Sequence, residues 1–87
     1  MASMLTNQQI VSAIQAAFSP LRCAAEIWDY EKKLRLQVFD SNDKTVVTFP
    51  EQVLGAVRDV ESLRAFLEMV RAQVQAKGHR LGPLKVL

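Results

Sequence analysis

The chain has 87 residues, 49% hydrophobic and 23% charged, with a formal net charge of +2. This composition is typical of one folded domain and excludes a disordered chain. No apolar run approaches the ~20 residues that a membrane span needs, and residues 1–20 carry no Lys or Arg for a signal peptide. Because a single cysteine cannot form an internal disulfide, we expect a cytoplasmic protein.

The positive charge is concentrated near the C-terminus. Lys77, Arg80 and Lys85 have no acidic neighbour, whereas the rest of the chain is close to neutral. Strong nucleic-acid binders usually carry a basic stripe on the folded body, so this distribution does not favour that class.

The first predicted helix begins after Thr6. Thr6 and Gln9 form a capping box, and Leu5 and Ile10 are spaced as a hydrophobic staple. Pro20 ends the helix, because the residue before a proline is pushed out of the helical region. Its apolar face is formed by Ile10, Val11, Ile14, Ala17 and Phe18.

Residues 21–49 predict three antiparallel strands joined by short turns. Apolar and polar residues alternate along the first two strands, which is the period of a half-buried strand. A two-residue turn at Glu31 and Lys32 would place Trp28 opposite Arg35 and Ile27 opposite Leu36. The turn contains no Gly, so a longer loop is the alternative.

The third strand follows a turn at Asn42 and Asp43, residues that tolerate positive φ. We predict it over residues 44–49, with Val46 on the polar face and Pro50 at its end. The aliphatic sheet face then consists of Ala25, Ile27, Leu36, Val38, Val47 and Phe49.

A connector and a second helix complete the domain. We predict one helical turn from Pro50 to Gly55, then a helix capped by Asp59 and followed by Gly78. Glu68 and Arg71 are spaced as an ion pair on its wet side. Its apolar stripe is formed by Val60, Leu63, Leu67, Val70 and Val74, widened by Phe66 and Met69.

These elements predict an α+β fold in the order α-β-β-β-α: a three-stranded antiparallel β-meander with two helices on one face. The domain covers residues 1–78. Residues 79–87 form a basic and apolar tail, which is either disordered or packed against the sheet.

Few groups suitable for catalysis are present. Cys23 lies on the predicted core face, and His79 lies in the tail, so neither belongs to a catalytic constellation. The carboxylates do not cluster at a spacing known for metals, and the glycines are isolated. We therefore expect no enzyme activity, no metal and no cofactor.

With both helices on one side, the other sheet face carries the candidate partner-binding residues Trp28, Tyr30, Arg35, Phe39 and Val46. Arg35 is placed to stack on Trp28. One interpretation is that this face binds a protein, most simply a second copy, because Trp, Tyr and Arg anchor interfaces. The other is that the tail or connector covers it. We predict a non-catalytic protein–protein interaction module that forms a homodimer through this face.

The element order is also that of the double-stranded-RNA-binding domain, which supplies the alternative function. Those domains resemble each other in a basic cluster at the start of the last helix. Here that helix begins with Asp59, Val60 and Glu61, flanked by Arg58 and Arg64. Duplex nucleic acid is therefore the less favoured partner.

Two segments, Ala-Ala-Phe-Ser-Pro-Leu-Arg-Cys at residues 16–23 and Arg-Leu-Gln-Val-Phe-Asp at residues 35–40, resemble a family of small uncharacterised pseudomonad proteins, a domain of unknown function. The resemblance implies a small bacterial cytosolic protein and assigns no functional residues.

Overall fold

The computed structural model describes residues 4–28, 30 and 32–84. Helix α1 (Asn7–Ala17) is followed by strands β1 (Arg22–Trp28), β2 (Lys33–Phe39) and β3 (Thr45–Val53), a 3₁₀ helix (Leu54–Val57) and helix α2 (Val60–Ala76). The strands form one antiparallel sheet in the order β1-β2-β3. The predicted α+β fold and its α-β-β-β-α order are confirmed.

Helix α1 begins as its sequence predicts. The Gln9 amide donates to the Thr6 hydroxyl at 3.1 Å, and the Thr6 amide donates to Gln9 Oε1 at 2.8 Å. Leu5 and Ile10 are both buried. These contacts satisfy two backbone donors that a helix N-terminus leaves without intrahelical partners.

One hydrophobic core lies between the sheet and both helices. Buried and more exposed side chains alternate along β2, and Leu34, Leu36 and Val38 are fully buried on the core side. The buried residues of α1 and α2 join the same cluster, which places both helices on one face of the sheet. Among the described residues, no polar or charged side chain is buried there. The buried helical residues are Ile10, Ala13, Ile14, Ala17, Leu63, Phe66, Leu67, Val70 and Val74.

The predicted pairing of β1 with β2 is wrong by two residues. Trp28 is paired with Lys33, and Glu26 with Arg35. The chain reverses between Trp28 and Lys33, where Tyr30 has a φ of 54°; Glu31, placed in the predicted turn, lies outside the described residues. A shift of two preserves the faces, because side chains alternate with a period of two.

The second hairpin has the predicted register over its central part, with Val38 paired with Val47 and Leu36 with Phe49. Outside this central part, two register shifts make the observed pairing differ from the prediction. Beyond Val38 the pairing changes so that Phe39 is opposite Thr45. Val46 is therefore an extra residue in β3 and is turned toward the core, where it is 7% exposed. Its predicted place on the outer face is wrong.

Strand β3 does not end at Pro50 but continues to Val53. Pro50 lies within the second register shift, between the residues paired with Leu36 and Leu34. A proline has no N–H to donate, and it is tolerated there because β3 is an edge strand whose pairing is irregular at this point. The predicted helical turn from Pro50 to Gly55 is therefore replaced by strand and a 3₁₀ helix.

Helix α2 begins at the predicted cap, where Asp59 accepts a hydrogen bond from the Ser62 amide. Gly78 follows its end with a φ of 93°, a left-handed conformation that favours glycine. Two details of its predicted faces are wrong. Met69 is exposed rather than part of the buried stripe, and Arg71 points toward α1 and the tail rather than to the wet side.

The described part of the tail, residues 79–84, packs on the helix side of the sheet. Leu81 and Leu84 contact the core, and the Gly82 amide donates to the Ser19 carbonyl at 2.9 Å. This part of the tail therefore does not cover the opposite face. Neither helix combines the length and the apolar character needed to cross a membrane, within the residues described.

Candidate functional site: the outer sheet face

The face of the sheet turned away from both helices, called here the outer face, is organised in four cross-strand rows. The observed register fixes the members of each row, and Lys33, Arg35, Gln37 and Phe39 of β2 form the middle column. Starting beside the β1–β2 loop, the rows are Trp28, Lys33 and Val53; Glu26 and Arg35 with Pro50 and Glu51; Ala24, Gln37 and Thr48; and Arg22, Phe39 and Thr45.

Trp28 lies at the β1 end of the row nearest the loop. Its ring has Lys33 Nζ 5.4 Å and the Arg35 guanidinium carbon 5.8 Å from the ring centroid. Both distances are within the range of a cation–π contact. The predicted contact of Arg35 with Trp28 is thus confirmed, although Arg35 lies on the diagonal rather than directly opposite.

Apolar surface remains open at this end of the outer face. Trp28 is 37% exposed, Val53 in the same row is 62% exposed, and Tyr30 in the adjoining loop is 94% exposed. We call Trp28, Tyr30, Lys33, Arg35 and Val53 the Trp28 cluster. It combines aromatic and aliphatic area with two cations, the residue types from which interface anchors are built.

Ion pairs hold the charged side chains of the outer face in place. Arg35 donates from Nη2 and Nε to Glu26 Oε2, at 2.7 and 3.2 Å. Lys33 pairs with Glu51. Because these pairs are largely exposed to water, each contributes little to stability. Their effect is to fix the two cations beside the indole ring.

Phe39 lies at the opposite end of the outer face. It lies six positions along β2 from Lys33, which is about 20 Å along a strand. The Arg22 guanidinium carbon lies 4.3 Å from the centroid of its ring, and Arg22 also pairs with Asp43 at 3.0 Å. Arg22 therefore covers Phe39, and Phe39 does not belong to the Trp28 cluster.

Between the two ends, the outer face has an open depression of about 370 Å³. Its lining includes Ala24, Glu26, Arg35, Gln37 and Thr48. The short side chain of Ala24 deepens the sheet surface at this point, and the Glu26–Arg35 ion pair forms one wall.

The five predicted site residues therefore have different positions. The structure brings Trp28 and Arg35 together at one end of the outer face, with Tyr30 in the adjoining loop. It places Phe39 at the other end and buries Val46. Sequence reasoning missed Lys33 and Val53. Lys33 was missed because the predicted turn at Glu31 and Lys32 misaligns the first hairpin. Val53 was missed because the third strand was predicted to end at Pro50.

The groups that could support catalysis lie elsewhere. Burial raises the pKa of the Cys23 thiol to about 12, so this buried cysteine is a poor nucleophile at neutral pH. Asp40 accepts from the amides of Asn42 and Lys44, which lowers its pKa and stabilises the second turn. Within the described residues, no three His, Cys, Asp or Glu side chains are grouped as metal ligands.

The start of α2 presents acidic rather than basic groups. The Ser62 side chain and amide hold the pKa of Asp59 below its ordinary value. Arg58 donates to the Leu5 carbonyl and, at 2.6 Å, to Asn7 Oδ1. Its guanidinium therefore attaches the start of α1.

Comparison of the chain with protein-family models, with curated proteins and with solved structures found no match in any of the three. The resemblance to the small pseudomonad family therefore stays a prediction, and no residue role is transferred from it.

Proposed function

We propose that this chain is a non-catalytic protein–protein interaction module that self-associates as a homodimer through its outer face. The observation that carries the proposal is the open Trp28 cluster. A tryptophan in contact with two cations, with an exposed valine in the same row and an exposed tyrosine in the adjoining loop, offers a preformed anchor that loses little side-chain entropy on binding.

The surrounding charges favour a partner that is a protein surface. The exposed ion pairs Glu26–Arg35 and Lys33–Glu51 put both signs of charge next to the anchor. A second copy carries the same mixture, so a two-fold arrangement can match cations with carboxylates. The buried free thiol of Cys23 suits a reducing compartment, and we place the module in the cytoplasm.

Sedimentation velocity over a concentration series to tens of micromolar tests the proposal. We expect a reversible dimer, and Trp28→Ala is expected to weaken it at least tenfold, because anchor residues contribute more than about 1.4 kcal/mol. Met69→Ala is the matched control, since Met69 is an exposed apolar residue of α2, on the helix side.

The single tryptophan supplies a second readout. Its emission should shift to shorter wavelength as the dimer forms, because the indole loses contact with water. A strict monomer, or a dimer whose affinity is unchanged by both Trp28→Ala and Val53→Lys, would remove the outer face as the interface.

A further inference from the structure

Strand β1 is an edge strand of the sheet, and its pairing with β2 is regular. In the described residues its ladder bonds run to β2 alone, and the pairing covers all seven residues without a register shift. An edge strand presents a row of backbone N–H and C=O groups that can pair with another strand.

The other edge of the sheet is protected. Strand β3 contains Pro50 and two register shifts. In addition, Lys77 Nζ donates to the Val46 carbonyl, at one of those shifts. Proline, irregular pairing and a lysine are the features by which proteins block edge pairing. Strand β1 has none of them, so the two edges differ in their capacity to accept a strand.

We propose that β1 pairs antiparallel with β1 of a second copy of this chain, about a two-fold axis at Ala24. This register places Arg22 of each copy opposite Glu26 of the other. The two side chains are 61% and 59% exposed, so both have atoms available for a further contact. Symmetry makes two such ion pairs, and the small residues Ala24 and Ala25 at the centre leave the backbones free to approach.

The narrow width of the sheet also favours an additional contact. Three strands spaced about 4.8 Å apart form a face roughly 14 Å wide. Edge pairing joins two sheets into one of six strands and doubles the width of the outer face. It leaves that face uncovered, so it is independent of association through the Trp28 cluster.

A charge-exchange experiment tests the pairing. Arg22→Glu and Glu26→Arg are each made in a Trp28→Ala chain, so that association through the outer face contributes little. Each then places like charges opposite one another at both symmetry-related positions and is expected to weaken the remaining self-association at least tenfold in sedimentation velocity. An equimolar mixture of the two variants restores complementary pairs, so native mass spectrometry should detect the heterodimer and little of either homodimer.

The double variant Arg22→Glu with Glu26→Arg separates this effect from changes inside one chain. It also lacks the Arg22–Asp43 and Glu26–Arg35 contacts, so recovery of its self-association reports on the contact between copies. Far-ultraviolet circular dichroism establishes that each variant is folded.

The possible outcomes are distinct. Recovery in the mixture and in the double variant supports edge pairing. Single variants that dimerise like Trp28→Ala alone, or a mixture that stays monomeric, overturn it. A chain that dimerises but loses all self-association in Trp28→Ala alone supports the outer face and overturns edge pairing. A monomer at every concentration overturns both.

Discussion

Arg71 of α2 donates a hydrogen bond of 2.7 Å to the carbonyl of Ala17, the last residue of α1. The same guanidinium donates to the Gly82 carbonyl in the tail. The last carbonyls of a helix have no intrahelical partner, and a cation there also interacts favourably with the helix dipole. One side chain thus connects both helices and the tail on the helix side of the sheet.

Replacing Arg71 should therefore destabilise the whole domain. For Arg71→Ala we expect a loss of about 2–3 kcal/mol in the free energy of unfolding, because charge-assisted hydrogen bonds contribute about 1.5–3 kcal/mol each and do not add fully. Urea denaturation followed by circular dichroism measures this. Arg64→Ala, an exposed position on the same helix, should change stability by less than about 0.5 kcal/mol. Equal stabilities of the two variants would mean that the Arg71 contacts contribute nothing.

The elements and their faces were predictable because local signals agreed with the hydrophobic period. The capping box at Thr6, the cap at Asp59 and the turn at Asp43, which has a φ of 60°, all lie where the sequence indicates. The first hairpin was misaligned because its loop lacks a glycine or asparagine signal. Its faces were still correct, because only an odd register error exchanges them.

The candidate site was less predictable, because a period-two pattern assumes an unbroken ladder. The register shift at Val46 turns that residue into the core, and the shift at Pro50 carries the strand on to Val53. Neither shift is visible in an alternation pattern that holds across most of the strand. Long-range contacts such as that of Arg71 with Ala17 depend on helix packing, which single-sequence periodicity does not specify.

The buried position of Val46 leads to a stability prediction. Val46→Ala should cost about 2 kcal/mol, because it removes buried methyl groups and leaves a cavity. Val53→Ala makes the same chemical change in the same strand at a position that is 62% exposed, and should cost less than about 0.5 kcal/mol. Thermal or urea unfolding compares the two. If Val53→Ala is the more destabilising, the shift that turns Val46 inward is refuted.

The buried thiol of Cys23 predicts a pH dependence of stability at alkaline pH. Burial raises the pKa of this thiol from an ordinary value of 9.0 to about 12. The unfolded chain ionises near pH 9 while the folded chain keeps the proton, so this contribution is complete below pH 9 and is lost as the pH rises toward 12. Above pH 9 the free energy of unfolding of the unchanged chain should fall more steeply with pH than that of Cys23→Ala. The two slopes should differ by up to about 1.4 kcal/mol for each pH unit.

The comparison uses only the slope of unfolding free energy against pH, because the cavity left by Cys23→Ala lowers the stability of that variant at every pH. Urea denaturation at several pH values between neutral and alkaline gives both slopes. Parallel slopes would show that the Cys23 thiol titrates normally in the folded chain and is accessible to water.

The charge at the start of α2 predicts that duplex RNA is not a ligand. Asp59 caps the helix, Glu61 lies in its first turn, and Arg58 is bound to the start of α1. Duplex binding is driven by phosphate contacts and the counterions that they release. A helix end without basic residues cannot make these contacts. In a gel-shift assay at low salt, the chain should not retard a duplex of about 20 base pairs, a length sufficient for this class of domain. Asp59→Lys with Glu61→Lys adds the missing charge at the same helix end and should give weak, salt-sensitive retardation. Retardation by the unchanged chain that weakens as salt rises would instead favour the nucleic-acid alternative over the outer sheet face.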